Sequence, residues 1–487
     1  MASVTRSSLC PGPCHLAVLL LLLLVLAAAP RRVIGAAAAA AADSGGEPKW
    51  HVVAVSSLLP STVCTGTAAT AASTSSALRV VHRHGPCSPL HSRGGGPPPP
   101  SHAEILRRDR RRVESIRRRI TAGASAATSG VSLPARWGTS VGYLFTVGLG
   151  TPAREFTVEL DTGSDLSWVQ CKPCRGCFKQ RDPLFDPARS STFSVVPCGA
   201  PECHKFSGVA SLNCSSTGSE CGYMFPYADG SKAVGNLVRD TLTLSPSETL
   251  PGFVFGCGHA DTGHFGEADG LFGLARDSVS LASQAAPKYG ARFSYCLPST
   301  PSALGYLSFG AAAAPPVNTQ FTAMVSRSDT GMPSLYYVNL VGLRVAGVEL
   351  DIPPAVFMRA GTIIDSATVI TFLPPRAYAA LRSAFRRSMG RYKRAPALNN
   401  LDTCYDFTGV ERVRMPAVAL VFADGATVSL DASGLVYVST VAQTCLAFAA
   451  NDDETHVGVL GNIQQKTFAM VYDVGNRKIG FGAKACS

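Results

Sequence analysis

Past residues 16–29 the chain contains no apolar run long enough to cross a membrane, and its last residues lack the hydrophobic tail of a GPI signal. Integral membrane classes are therefore not indicated for the main body. The exception, LAVLLLLLLVLAAA, is preceded by Arg6 and followed by small residues. That layout predicts a secretory signal peptide over residues 1–36, with export to the apoplast or vacuole; a plastid transit peptide is the alternative. Nor does the body have an excess of positive charge. Residues 1–139 hold 16 Lys+Arg against 5 Asp+Glu, whereas residues 140–487 hold 28 of each. The formal charge of +11 thus lies in the leader, which argues against nucleic acid as a partner of the mature body. Metal ligands are lacking as well. CKPCRGC (171–177) offers Cys-x-x-Cys spacing, but no His pair or second such motif lies at zinc-finger spacing. No metal and no cofactor is expected.

Cysteines, by contrast, are plentiful. Beyond residue 140 there are twelve: Cys171, Cys174, Cys177, Cys198, Cys203, Cys214, Cys221, Cys257, Cys296, Cys404, Cys445 and Cys486. An even number on an exported body reads as up to six disulfides, with connectivity left open by spacing. Asn213-Cys214-Ser215 is the one N-glycosylation sequon, equally readable as a turn.

The organisation follows from texture. Residues 37 to about 100 are rich in Ala, Ser, Gly and Pro and are poor material for a core. Residues 103–123, AEILRRDRRRVESIRRRITAG, space Ile105, Leu106, Val113, Ile116 and Ile120 near the helical period, with arginines between. This is either a solvated basic helix or part of a pro-segment (37–139) whose arginines cover an acidic cleft. From Gly142 the chain alternates short apolar runs such as YLFTVGLG, REFTVELD, YYVNLVGLRV and FAMVYD with turn clusters, predicting an all-β body. PPRAYAALRSAFRRSM (374–389) is the clearest helix. Arginines and lysine from 376 to 394 look like its solvated face, a basic run without an acidic partner.

One pattern occurs twice. VELDTGSDLSWVQC (158–171) and GTIIDSATVI (361–370) both run an apolar strand into an aspartate followed by hydroxyl, small residue, hydroxyl. Each is followed by an apolar-apolar-Gly element, ending at Gly273 and Gly461, 112 and 96 residues after Asp161 and Asp365. Such a glycine permits another segment to approach closely. The double repeat predicts two related lobes, 140–325 and 326–487, that bring Asp161 and Asp365 together. Two carboxylates at contact distance hold one proton between them, so one can deprotonate water while the other protonates a carbonyl oxygen. Pepsin is the familiar enzyme built on such a pair. Ser164 and Thr368 are placed to donate to the outer carboxylate oxygens.

Together these residues resemble the pepsin-like aspartic peptidases, and within them the plant nepenthesin-type branch that lacks a saposin-like insert. The matching positions are Asp161-Thr162-Gly163-Ser164, Trp168, YADGS (227–231), LFG (271–273), Asp365-Ser366-Ala367-Thr368 and VLGN (459–462). HRHGPCSPL (82–90) and the cysteine-dense stretch 171–221 resemble that branch's pro-segment and its extra disulfide-held segment. The resemblance implies a bilobal all-β fold with a cleft for extended polypeptide substrates and a monomeric zymogen inhibited by its own pro-segment. It also implies a flap carrying Tyr227 hydrogen-bonded to Trp168, and bridges such as Cys198–Cys221, Cys203–Cys214 and Cys404–Cys445. Thr162, Gly163, Ser164, Ser366, Ala367 and Thr368 would support the carboxylates. Ala228 in the flap and Ala367 in the second turn replace the usual glycines, and Ala367 is expected to strain its turn. The alternatives are a silent binding protein on the same fold, as among xylanase-inhibitor-like relatives, and a nucleoid-associated peptidase that also binds DNA.

Overall fold

A computed structural model describes residues 49–65, 77–90, 100–122, 142–204, 211–214, 219–226, 232–262 and 266–485. All described residues belong to one compact unit, Glu47–Ser487. The signal peptide, the flap residues Tyr227 and Ala228, Cys486 and the side chains of Asn213 and Cys214 lie outside the description.

The apolar runs of the sequence become strands. The architecture is the all-β, bilobal pepsin-like fold. In the first lobe, β3 (Tyr143–Leu149) pairs antiparallel with β4 (Arg154–Asp161), an arrangement that buries both faces of β3 apart from Thr146. Strand β4 then pairs in parallel with Gly270–Gly273, with Gly273 opposite Asp161. The same Gly270–Leu271 run is antiparallel to β5 (Trp168–Gln170). The second lobe repeats this wiring: Thr362–Ile364 is parallel to Gly458–Leu460, and Phe372 in Thr371–Leu373 is antiparallel to Val459. Both glycines are required by close approach. A Cβ on Gly273 would lie 2.4 Å from the backbone of Asp165, and one on Gly461 would lie 2.4 Å from the Ile370 carbonyl.

Between the lobes runs a six-stranded sheet in the order Leu78–His82, Leu304–Phe309, Arg292–Cys296, Ala469–Asp473, Lys478–Gly482 and Gln320–Val325. Its first strand, β2 (Leu78–His82), also pairs with β3. An earlier strand, β1 (Trp50–Ala54), pairs antiparallel with Arg412–Pro416 in the second lobe. These two strands correct the expectation that residues 37–100 make no core: Val80 is fully buried. The overall Ala/Ser/Gly/Pro bias masks short β-branched runs, WHVVA and LRVVH, that hold their own strand pattern.

The helix Pro375–Ser388 forms as its periodicity predicts, burying Ala377, Tyr378, Leu381, Ala384 and Phe385. Its basic run is not without acidic partners. Arg382 and Arg386 reach Asp402 at 2.7 and 3.1 Å, and Lys393 reaches Asp406 at 2.9 Å. The partners are acidic residues on the following strand and loop, invisible to a scan for local charge balance.

The disulfides Cys171–Cys257, Cys174–Cys177, Cys203–Cys221 and Cys404–Cys445 hold the body. Cys404–Cys445 is as the resemblance implied; Cys203–Cys221 replaces both Cys198–Cys221 and Cys203–Cys214. Cys198 and Cys296 are disulfide-bonded too. The thiols of CKPCRGC that could have held zinc are consumed in these bonds. Cys64–Cys87 adds a bridge within the segment that precedes the body. Among the described residues no helix is long and apolar enough to span a membrane.

Candidate active site

Each aspartate sits where a parallel strand pair ends, so its turn projects from the sheet into the interface between lobes. Asp161 and Asp365 are both fully buried. The N–H of Gly163 donates to Asp161 Oδ1 at 2.8 Å, and the Ser164 hydroxyl to Oδ2 at 2.7 Å. In the second turn the N–H of Ala367 donates to Asp365 Oδ1 at 3.0 Å, and the Thr368 hydroxyl to Oδ2 at 2.5 Å. The four donors are related two by two, and Ser164 and Thr368 lie as their spacing predicted. Ala367 keeps the N–H contact. Its backbone is not among the non-glycine residues with positive φ, so the expected strain is absent.

Thr162 and Ser366 do something other than support the carboxylates directly. The Ser366 N–H donates to Thr162 Oγ1 at 2.9 Å, and the Thr162 N–H donates to Ser366 Oγ at 3.0 Å. Ser366 Oγ in turn donates to the Leu160 carbonyl at 3.1 Å. These reciprocal bonds cross from lobe to lobe and hold the two turns in register. From beneath, the fully buried Gln465 amide donates to the carbonyls of Asp365 and Leu460 at 3.2 and 2.9 Å. Its oxygen accepts from Tyr295 at 2.5 Å. Gln465 was not singled out from sequence; its position four residues after Gly461 was the only signal for it. Trp168 is fully buried with its ring edge-on to Phe178; its expected partner Tyr227 lies outside the described residues.

A cation occupies the space between the carboxylates. The Arg112 guanidinium donates through Nη2 to Asp161 Oδ1 at 2.7 Å and to Asp365 Oδ1 at 3.0 Å, and through Nε to Asp365 Oδ2 at 2.8 Å. Arg112 lies on the helix His102–Ala122, formed as its apolar spacing predicts. Ile105, Leu106, Val113 and Ile116 are buried on the face that meets Val369, Ile370, Phe372 and Val457 of the second lobe. One turn before Arg112, the buried carboxylate of Asp109 accepts the N–H groups of Val369 and Ile370 at 2.7 and 3.2 Å. Neither residue was singled out from sequence, because nothing local distinguishes Arg112 from its neighbouring arginines.

The electrostatics follow from burial and from this cation. Burial opposes ionisation of both aspartates. At Asp365 the attraction of Arg112 and its hydrogen bond outweigh burial and hold the carboxyl below its usual range. At Asp161 burial prevails, with the neighbouring Asp365 charge adding to it, and the carboxyl is raised. Burial pushes Asp109 up to about 7 despite its two N–H donors. Arg112, between two carboxylates, is held charged well above its ordinary range against the cost of burial. Such a fork-and-carboxylate arrangement suits the rigid planar geometry of guanidinium.

The chain is similar to known proteins along most of its length. Residues 143–311 match the family model described as xylanase inhibitor N-terminal, and residues 335–483 the one described as xylanase inhibitor C-terminal. An aspartyl protease family protein of Arabidopsis thaliana is 42% identical over 448 residues, covering 90% of this chain and 93% of its own. Aspartyl protease AED1 of the same plant is 40% identical over 446 residues, covering 90% and 92%. Aspartic proteinase nepenthesin-2 of Nepenthes gracilis is 33% identical over 395 residues, covering 79% and 86%. Among solved structures, edgp shares the fold with a TM-score of 0.60 at 17% identity, covering 72% of this chain and 94% of its own. Basic 7S globulin from soybean does so with a TM-score of 0.56 at 20% identity, over 72% and 94%. Two lobes, two matched aspartate turns and relatives along nine-tenths of the chain lead to one assignment: the protein belongs to the plant pepsin-like aspartic protease family, of the nepenthesin type.

Proposed function

We propose that the protein is an aspartic endopeptidase, made as a zymogen and active at acid pH after the helix His102–Ala122 is displaced. The observation that carries this reading is the shared guanidinium: Arg112 contacts both Asp161 and Asp365, so both carboxylates face one small volume. With the helix gone, a water molecule takes the guanidinium's place. The two carboxylates then hold a single proton. The ionised one removes a proton from the water as its oxygen attacks the peptide carbonyl carbon, and the protonated one donates to the carbonyl oxygen. The resulting tetrahedral diol collapses with proton transfer to the amine. Ser164, Thr368 and the N–H groups of Gly163 and Ala367 steady each charge, and the Thr162–Ser366 bonds keep the two turns apart by a constant distance.

The buried disulfides favour an oxidising destination, apoplast or vacuole. The reading is tested by digestion of denatured globin at about pH 3 to 5, where a shared-proton dyad works. Pepstatin should block digestion and Asp161→Asn should abolish it. A binding protein on the same fold is the second reading, favoured by the description of the matched family models. It would leave globin intact while inhibiting a xylanase.

A further inference from the structure

The chain from 49 to 122 has two parts with different attachments. The helix His102–Ala122 lies on the catalytic turns, and its polar anchors there are Arg112 and Asp109. Strands β1 and β2 are instead built into the sheets of the body.

Strand β2 is bonded on both edges. Val80 and Val81 stand opposite Phe145 and Leu144 of β3, and opposite Gly305 and Leu304 of the interlobe sheet. It is the strand through which, among the described residues, β3 joins that sheet. Its side chains fill two apolar clusters: Leu78 and Val80 pack with the main core, and Val81 with Leu144, Ala268 and Leu304. Immediately after it, the Arg83 guanidinium lies 2.8 Å from Glu159 on β4, with 4% and 3% of the two side chains exposed. Strand β1 contributes a five-residue register with Arg412–Pro416, over fully buried Val413 and Met415, and the Arg414 guanidinium lies 4.2 Å above the Trp50 ring. Between the strands, Thr65 N–H donates to the Ser302 carbonyl at 2.8 Å.

Taking β2 away would therefore bare two strand edges within one sheet and leave Glu159 buried without its cation. Either is costly: unpaired edges invite aggregation, and a buried ion pair stripped of one member destabilises strongly. The helix, in contrast, covers a cleft that substrate and water would fill.

Resting on the zymogen reading above, we propose that activation removes the helix and not the strands. The active form is then a two-chain complex in which residues 49–90 stay bound as β1 and β2 without a covalent link to the body. Their one described disulfide, Cys64–Cys87, is internal to the piece. Two peptide bonds are hydrolysed, one on each side of the helix, each adding one water to leave a carboxyl and an amine.

The test uses the full-length chain with recognition sequences for a site-specific protease inserted between Gly95 and Gly96 and between Ser125 and Ala126. After both cuts, the body is isolated by size exclusion under native conditions, and its peak is denatured and weighed by mass spectrometry. The expected result is a peptide containing residues 49–90, equimolar with the body. A body that elutes without this peptide overturns the inference, as would happen if residues between 126 and 142 re-paired in the vacated slot. The inference is read from that peptide alone. Presence of the helix peptide in the peak, and globin digestion by it, report separately on the zymogen reading.

Discussion

Asp109 sits one helical turn before Arg112 and takes the N–H of Val369 at 2.7 Å, immediately past the second aspartate turn. The helix is thus pinned at two adjacent points by groups of opposite charge, and their proton equilibria pull in opposite directions. Asp365, held low in the docked state, contributes to docking above the ordinary carboxylate pKa, and that contribution fades as the pH falls through its depressed value. Asp109, raised to about 7 from 3.8 by its burial, takes up a proton on docking, so its effect favours docking as the pH falls from neutrality toward 3.8. A synthetic peptide of residues 102–122 should therefore inhibit the body most tightly in mild acid and lose hold in stronger acid. Asp109→Asn should remove the dependence on the neutral side. Inhibition constants measured across the pH range check this; a flat profile for the unaltered peptide would refute it.

Arg112→Ala in the full-length chain should release latency. Losing one member of a buried ion pair costs about 3–5 kcal/mol, enough to undock the helix locally. The unprocessed variant should cleave a fluorogenic peptide at least about tenfold faster than the unprocessed parent, since 1.4 kcal/mol is already a factor of ten. Equal rates would mean that the guanidinium does not block the site.

The two aspartate turns are not equivalent toward a methyl group. A Cβ on Gly163 would lie 2.6 Å from the Arg112 guanidinium and 2.7 Å from Asp365 Oδ1, whereas Ala367 already carries its Cβ in the opposite turn. Gly163→Ala should lower kcat by about a hundredfold or more, since carboxylates moved by an ångström lose their common water. Ala367→Gly should leave kcat and pepstatin affinity within about twofold and lower stability by about 0.5–1 kcal/mol through backbone entropy. Kinetics and thermal unfolding of the two variants separate these outcomes.

The bonds between Thr162 and Ser366 predict an effect on both stability and rate. Ser366→Ala strands the buried N–H of Thr162 and should cost about 1–3 kcal/mol. The loss should appear as a lower unfolding temperature together with a reduced kcat, while KM for peptide changes little.

Because Arg382, Arg386 and Lys393 are paired with Asp402 and Asp406, the body should show no salt-sensitive retention of DNA. Retention on a DNA column at low salt, lost as salt is raised, would restore the nucleic-acid alternative.

The strands, the helix His102–Ala122, the two aspartate turns and the need for Gly273 and Gly461 were legible in the chain, because each is written in local periodicity or in a short motif repeated in order. So were the places of Ser164 and Thr368, whose reach to their own aspartates is set by turn geometry. Only folding in three dimensions settled which of the helix arginines meets the carboxylates, that Thr162 and Ser366 hold each other, that Cys203 joins Cys221, and that β1 and β2 belong to the body's sheets. Those are relations between segments distant along the chain. They depend on the register and packing of whole sheets, which no local pattern encodes.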